Sequence, residues 1–126
     1  MPITPLYAAV AALLFAALSF RTLILRQKLG VPVGHSGDAG LERAIRAHGN
    51  FAEYVPLTLL VIFFLEIQGA ESIVIHTLCS CLVTGRAFHA LGVSQLNEPT
   101  FLRVIGMGLT FTALIAASAR LLGFYL

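Results

Sequence analysis

Four apolar stretches, at about residues 6–25, 51–67, 72–93 and 101–126, take up most of this 126-residue chain. A helix crossing the hydrocarbon core of a bilayer needs about 20 mostly apolar residues, and in lipid every backbone N–H and C=O must find its partner inside the segment. Those two constraints point to an all-α chain: an integral membrane four-helix bundle with transmembrane helices expected at about 5–27, 40–67, 72–93 and 99–124 of a single domain spanning 1–126. Composition agrees, since only 11% of the residues are charged, less than half of the ~25% usual for a soluble domain. The first stretch, LYAAVAALLFAALSF, has no charge ahead of it and its first cation, Arg21, after it. It therefore reads as a span and not as a cleaved secretory signal.

The net charge of +2 gives no general attraction to nucleic acid, but the placement of the charges is informative. Arg21, Arg26, Lys28, Arg43 and Arg46 lie at or between the first two spans, and Arg86 and Arg103 flank the connection between the third and fourth. The second connection, EIQGAES, carries only acids. By the positive-inside rule the first and third loops are expected on the cytoplasmic side and both termini on the opposite side. Arg120 is the exception and can snorkel to the far interface.

The segment KLGVPVGHSGDAGL, residues 28–41, has four glycines, a proline and no apolar period, so it reads as a loop. Asp38 is a suitable N-cap for the helix that follows, and Pro56 lies inside that helix. Gly69 should end it, and Asn97 with Pro99 should turn the chain into the last span. Gly106 and Gly108 suggest that the last helix approaches a neighbour closely.

Five polar residues stand at the mouth of the second apolar run, in RAIRAHGNFAEYVPL. Arg43, Arg46, Asn50 and Glu53 are three, four and three apart, which places them along one stripe of a helix. For Arg43 the plain alternative is a solvated place in the headgroup layer. Glu53 sits deeper, beside Tyr54 and Leu57, where an ionisable group faces a bundle interior or a wet cavity. The third run ends in GRAFHALGV, with Arg86 and His89 three apart, and the fourth opens FLRVIG, with Arg103 about one turn in. Three helices thus bring Arg46, Asn50, Glu53, Arg86, His89 and Arg103 to one side of the membrane. Guanidiniums suit carboxylates and a lone carboxylate suits an ammonium, so the pattern fits a small ligand that is anionic overall and zwitterionic. A metal site from His48, His89 and Glu53 is disfavoured, because no HExxH or paired Cys/His spacing is present; His35 and His76 read as structural, as does the Cys79/Cys81 pair.

RAHGNFAEYVPL resembles the second-helix signature of the membrane-associated proteins in eicosanoid and glutathione metabolism. The four spans, the Arg-x-x-His pair closing the third and the arginine opening the fourth extend the resemblance along the chain, to a bacterial-type member similar to microsomal glutathione transferases. It implies a homotrimer of the bacterial inner membrane, with glutathione sites between adjacent subunits, and a transferase, with peroxidase chemistry open to the same thiolate. By the same resemblance Arg46, Asn50, Glu53 and Tyr54, with Arg86 and His89, hold the tripeptide. Arg103 activates its thiol, and Arg26, or else Arg21, reaches the site from a neighbouring chain. Glutathione is then a co-substrate, a lipophilic electrophile or lipid the second partner, and detoxification the broad role. Val93 stands where some eicosanoid-forming members carry a tyrosine, which weakens a specific eicosanoid reaction and leaves general glutathione chemistry intact. A protein of this kind that binds lipid or glutathione without catalysis is the alternative, and a small transporter is a third, though the far half of the bundle supplies little polar lining.

Overall fold

The computed structural model describes all residues from 1 to 126. Four helices account for nearly all of it: α1 (Thr4–Leu29), α2 (Ala39–Ile67), α3 (Ser72–Val93) and α4 (Thr100–Leu122). Each is long and apolar enough to cross a bilayer. The chain is an integral membrane protein with an all-α bundle, as its apolar runs require.

Helix ends follow local chemistry. Gly30 adopts a left-handed backbone (φ 65°) that closes α1 with its N–H turned back to the carbonyls of Arg26 and Gln27. Asp38 caps α2, its carboxylate accepting from Leu41 N at 2.7 Å. Gly69, at φ 87°, makes the tight hairpin from α2 into α3. The first turn of α1 has no capping side chain of its own. Glu66, at the far end of α2, supplies the cap instead and accepts from the N–H groups of Ile3 and Thr4. Helix α2 runs through Pro56 without a break. The ring removes the N–H that would have bonded the carbonyl of Ala52.

Packing is uneven. Helices α3 and α4 share the most extensive contact, α1 touches only α2 and α3, and α1 and α4 do not meet. Near the α2–α3 hairpin, Ile62, Leu65, Ile75, Leu78, Cys79, Leu82, Ala113 and Ala117 form the main core. A smaller cluster of Ala11, Phe51 and Val55 joins α1 to α2. The α3–α4 seam depends on glycine: a Cβ on Gly106 would lie 2.6 Å from both Gly85 O and His89 N, so the two backbones nearly touch. A second approach, where a Cβ on Gly92 would come 3.1 Å from Arg103 N, holds the same helices together nearer the α3–α4 turn. Gly108, by contrast, has nothing within 4 Å of its added Cβ, so of the two α4 glycines only Gly106 makes the close approach. This seam sets the distance between His89 on α3 and Arg103 on α4.

On its outer side α2 exposes Arg46, Glu53, Leu57, Leu60, Phe64 and Ile67. Their spacings of seven, four, three, four and three keep them in one stripe, and no helix of the same chain covers it.

Candidate functional site

At the end of the bundle that carries the α1–α2 loop and the α3–α4 turn, a cleft of about 500 Å³ opens between α2, α3 and α4. Helix α2 contributes Glu42, Arg43, Arg46 and Asn50; α3 contributes His89 and Val93; the turn contributes Glu98; α4 contributes Arg103 and Met107. Four of the residues expected from sequence, Arg46, Asn50, His89 and Arg103, therefore line one space.

Glu98 organises the basic residues. Arg43 Nη1 donates to its Oε2 at 3.0 Å and to the carbonyl of Val93 at 3.2 Å. Arg103 Nη1 donates to the same Oε2 at 3.3 Å and lies 3.2 Å from Oε1. That last contact is an ion pair without hydrogen-bond alignment, which leaves Glu98 Oε1 buried and without a donor. Arg46 is exposed and belongs to no ion pair. The cleft holds three guanidiniums against Glu98 and the rim residue Glu42, so it is basic overall.

Behind the cleft lies Arg86, only 1% exposed. Its Nη1 donates to Asn50 Oδ1 at 2.8 Å and its Nη2 reaches Met107 Sδ at 3.7 Å, while Nε has no partner. The guanidinium carbon stands 5.7 Å from the centre of the Tyr54 ring, and Tyr54 meets Phe111 edge to face at 5.5 Å. Arg86 thus acts on the cleft by orienting Asn50: with Oδ1 engaged, the amide presents its N–H groups to a ligand. No carboxylate is within ion-pair distance of Arg86. A buried cation held only by neutral groups is expensive. Arg86→Met is accordingly expected to stabilise the bundle by about 1–2 kcal/mol in SDS denaturation, while Asn50 loses its orientation. A less stable variant would show that the cation holds the helices together.

Other residues named from the sequence lie elsewhere. Glu53 is exposed on the outer stripe of α2. At 100° per residue it lies only about 20° around the helix from Arg46, so it is depth that separates it from the cleft: seven residues, or about 10 Å, further along α2. Arg26 Nη1 donates to the carbonyls of Val31 and Gly34 at 3.2 and 2.8 Å, so it braces the loop after α1. Arg21 bonds Ser94 at the end of α3 and lines a separate, mostly apolar groove of about 470 Å³ between α1 and α3. Within one chain neither reaches the cleft. His48 stacks on Phe15 at 4.7 Å, and no three His, Cys, Asp or Glu side chains group as metal ligands.

Glu98 is the residue that sequence reasoning missed. A single acid in a polar turn, QLNEPT, is normally solvated. The available signal was its place in the connection that Arg86 and Arg103 flank, one residue before the proline that precedes α4.

The profile of the MAPEG family matches residues 4–123, from the first turn of α1 past the end of α4. The chain belongs to the MAPEG family. It is also similar to the inner membrane protein YecN of Escherichia coli K12, with 38% identity over 90 residues, or 71% of this chain and 69% of that one. YecN from E. coli O6:H1 strain CFT073 matches to the same extent. In this MAPEG protein the polar cleft occupies the basic end of the bundle. The RAHGNFAEYVPL segment divides between three surroundings: Arg46 and Asn50 in the cleft, Tyr54 over Arg86, and Glu53 on the uncovered face of α2.

Proposed function

We propose that this MAPEG protein is a membrane-bound glutathione transferase in which the cleft binds glutathione and Arg103 stabilises its thiolate. The observation that carries the reading is the joining of Arg43, Arg46, Asn50, His89 and Arg103 around one basic cavity in a chain of this family. Glutathione matches its chemistry. Two carboxylates suit guanidiniums, peptide groups suit Asn50, and a thiol with an ordinary pKa of about 8.5 becomes the reactive thiolate beside an arginine. Arg86 fixes Asn50, Tyr54 packs over Arg86, and His89 offers a ring nitrogen from the cleft wall.

The outer α2 stripe supports a homotrimer. Leu57, Leu60, Phe64 and Ile67 form an apolar seam, and Glu53 at its basic end is an ionisable group left on a membrane-facing surface. A second copy packed there would cover Glu53 and bring Arg26, from the last turn of its own α1, towards the cleft mouth. The basic end is then cytoplasmic by its arginines, in a bacterial inner membrane. A lipophilic electrophile dissolved in the bilayer reaches the thiolate sideways, so the membrane itself selects apolar second substrates and detoxification is the resulting role. Peroxidase chemistry, with a lipid hydroperoxide as oxidant, uses the same thiolate.

One observation favours the alternative of a non-catalytic binding protein: Arg103 is already engaged by Glu98, which shares its charge. Calorimetric titration with glutathione, followed by conjugation of 1-chloro-2,4-dinitrobenzene by the same preparation, separates the two. Binding with conjugation supports the transferase, binding without it supports the binding protein, and no binding contradicts the transferase and leaves only a lipid-binding role.

A further inference from the structure

The groove between α1 and α3 uses a different face of α3 from the cleft. Leu14, Ala17 and Leu18 on α1 stand opposite Ala90 and Leu91 on α3, and the volume of about 470 Å³ is that of a small-molecule site. Arg21 stands at its basic end. Its Nη1 donates to Ser94 Oγ and its Nη2 to the Ser94 carbonyl at 3.1 Å. A guanidinium carries five N–H donors, so the rest of its fork stays open, and no carboxylate lies within ion-pair distance. Past Arg21 a shallower depression of about 580 Å³ runs on towards the start of α2, sharing Ala17, Arg21 and Ser94 with the groove. No acidic residue lines either space. Arg86, held from the cleft side by Asn50 and Met107, closes the deep end.

Depth identifies the occupant. The 26 residues of α1 make a rod of about 39 Å against about 30 Å of hydrocarbon, so about six residues overhang the core. Arg26 and Lys28, in the last turn, belong to that overhang. Arg21 is then within about one turn of the hydrocarbon boundary, and the groove from Arg21 to Leu14, about 10 Å of helix, lies inside it. A half-buried cation at the boundary, above an apolar slot open to lipid, matches an amphiphile held with its head outward. We propose that the groove binds one anionic phospholipid from the leaflet at the basic end. The phosphate takes the open edge of Arg21, the rest of the headgroup lies in the depression beyond, and one acyl chain fills the groove. An anionic headgroup is preferred to a zwitterionic one because Arg21, Arg26 and Lys28 supply cations here and no acid lines the site to receive an ammonium. The lipid fastens α1 to α3 along the thinnest of the bundle's seams. This inference stands apart from the glutathione reading.

The test is native mass spectrometry of the purified full-length protein in detergent, titrated with phosphatidylglycerol or with phosphatidylcholine of the same acyl chains, counting lipids and protein copies together. Wild type should retain one phosphatidylglycerol per chain, about tenfold more tightly than phosphatidylcholine, the scale of one hydrogen bond to a charged group. Arg21→Ala should bring phosphatidylglycerol down to the phosphatidylcholine level, and Arg21→Lys should recover part of the preference. Ala90→Phe fills the groove and leaves Arg21 in place, so it should release both lipids. Lys28→Gln removes a cation of α1 that lines neither space and should keep the preference. A preference that survives Arg21→Ala, or is lost equally in Lys28→Gln, overturns the site, since the attraction would then belong to the basic end as a whole. Undiminished lipid in Ala90→Phe, or none on wild type, overturns it as well. A change in the number of copies in Ala90→Phe without loss of lipid would assign the groove to a second copy of the chain instead.

Discussion

Arg103→Ala should lower turnover with 1-chloro-2,4-dinitrobenzene by about 10²-fold, the usual scale for one group that stabilises reacting charge, while glutathione affinity falls only a few-fold. The asymmetry follows from the setting of the side chain. Arg103 is 48% exposed and shares Glu98 with Arg43, so substrate carboxylates still have Arg43 and Arg46 when it is gone. The thiolate is assigned to Arg103 alone in this reading, while Arg43 stays tied to Glu98 and to the carbonyl of Val93. Steady-state kinetics read the difference as a loss in kcat with a small change in KM for glutathione. Equal losses in kcat and affinity would mean that Arg103 binds the tripeptide and does nothing further.

Gly106→Ala should destabilise the protein by about 2–3 kcal/mol, within the range for forcing an extra carbon into a packed interior. The added Cβ would stand 2.6 Å from Gly85 O and from His89 N, both backbone atoms that no rotamer change can move. Helices α3 and α4 must separate, and the gap between His89 and Arg103 widens with them, so glutathione binding should fall alongside stability. Gly108→Ala is the comparison: its Cβ meets nothing within 4 Å, and the extra methyl favours helix. SDS denaturation of the two variants checks the argument. Equal stability in both would show that the seam tolerates a looser fit.

The fold was legible because the decisive information is local. A bilayer leaves an apolar run of 20 residues little choice but helix, and Asp38, Gly30 and Gly69 mark where such runs begin and end. The cleft was legible in part for the same reason: Arg46 and Asn50 share a helix face by spacing, and His89 and Arg103 sit at the same end of their helices. What escaped depends on contacts between elements. Glu98 joins the site only because Gly85, Gly92 and Gly106 bring α3 and α4 close enough for the turn to fold over Arg43. Arg26 faces its own loop because the chain after Gly30 returns past it, which no spacing rule encodes. Glu53 lies outside the cleft of its own chain because it stands about two turns deeper along α2 than Arg46, a displacement along the axis that a shared face does not report.

The most direct test of the account is ultraviolet difference spectroscopy of the purified, detergent-solubilised protein on addition of glutathione near neutral pH, repeated with Arg103→Ala. The account predicts a thiolate absorbance band in wild type that is lost in the variant while glutathione still binds both. A bound tripeptide that shows no thiolate in wild type, or an equal band in the variant, would contradict it.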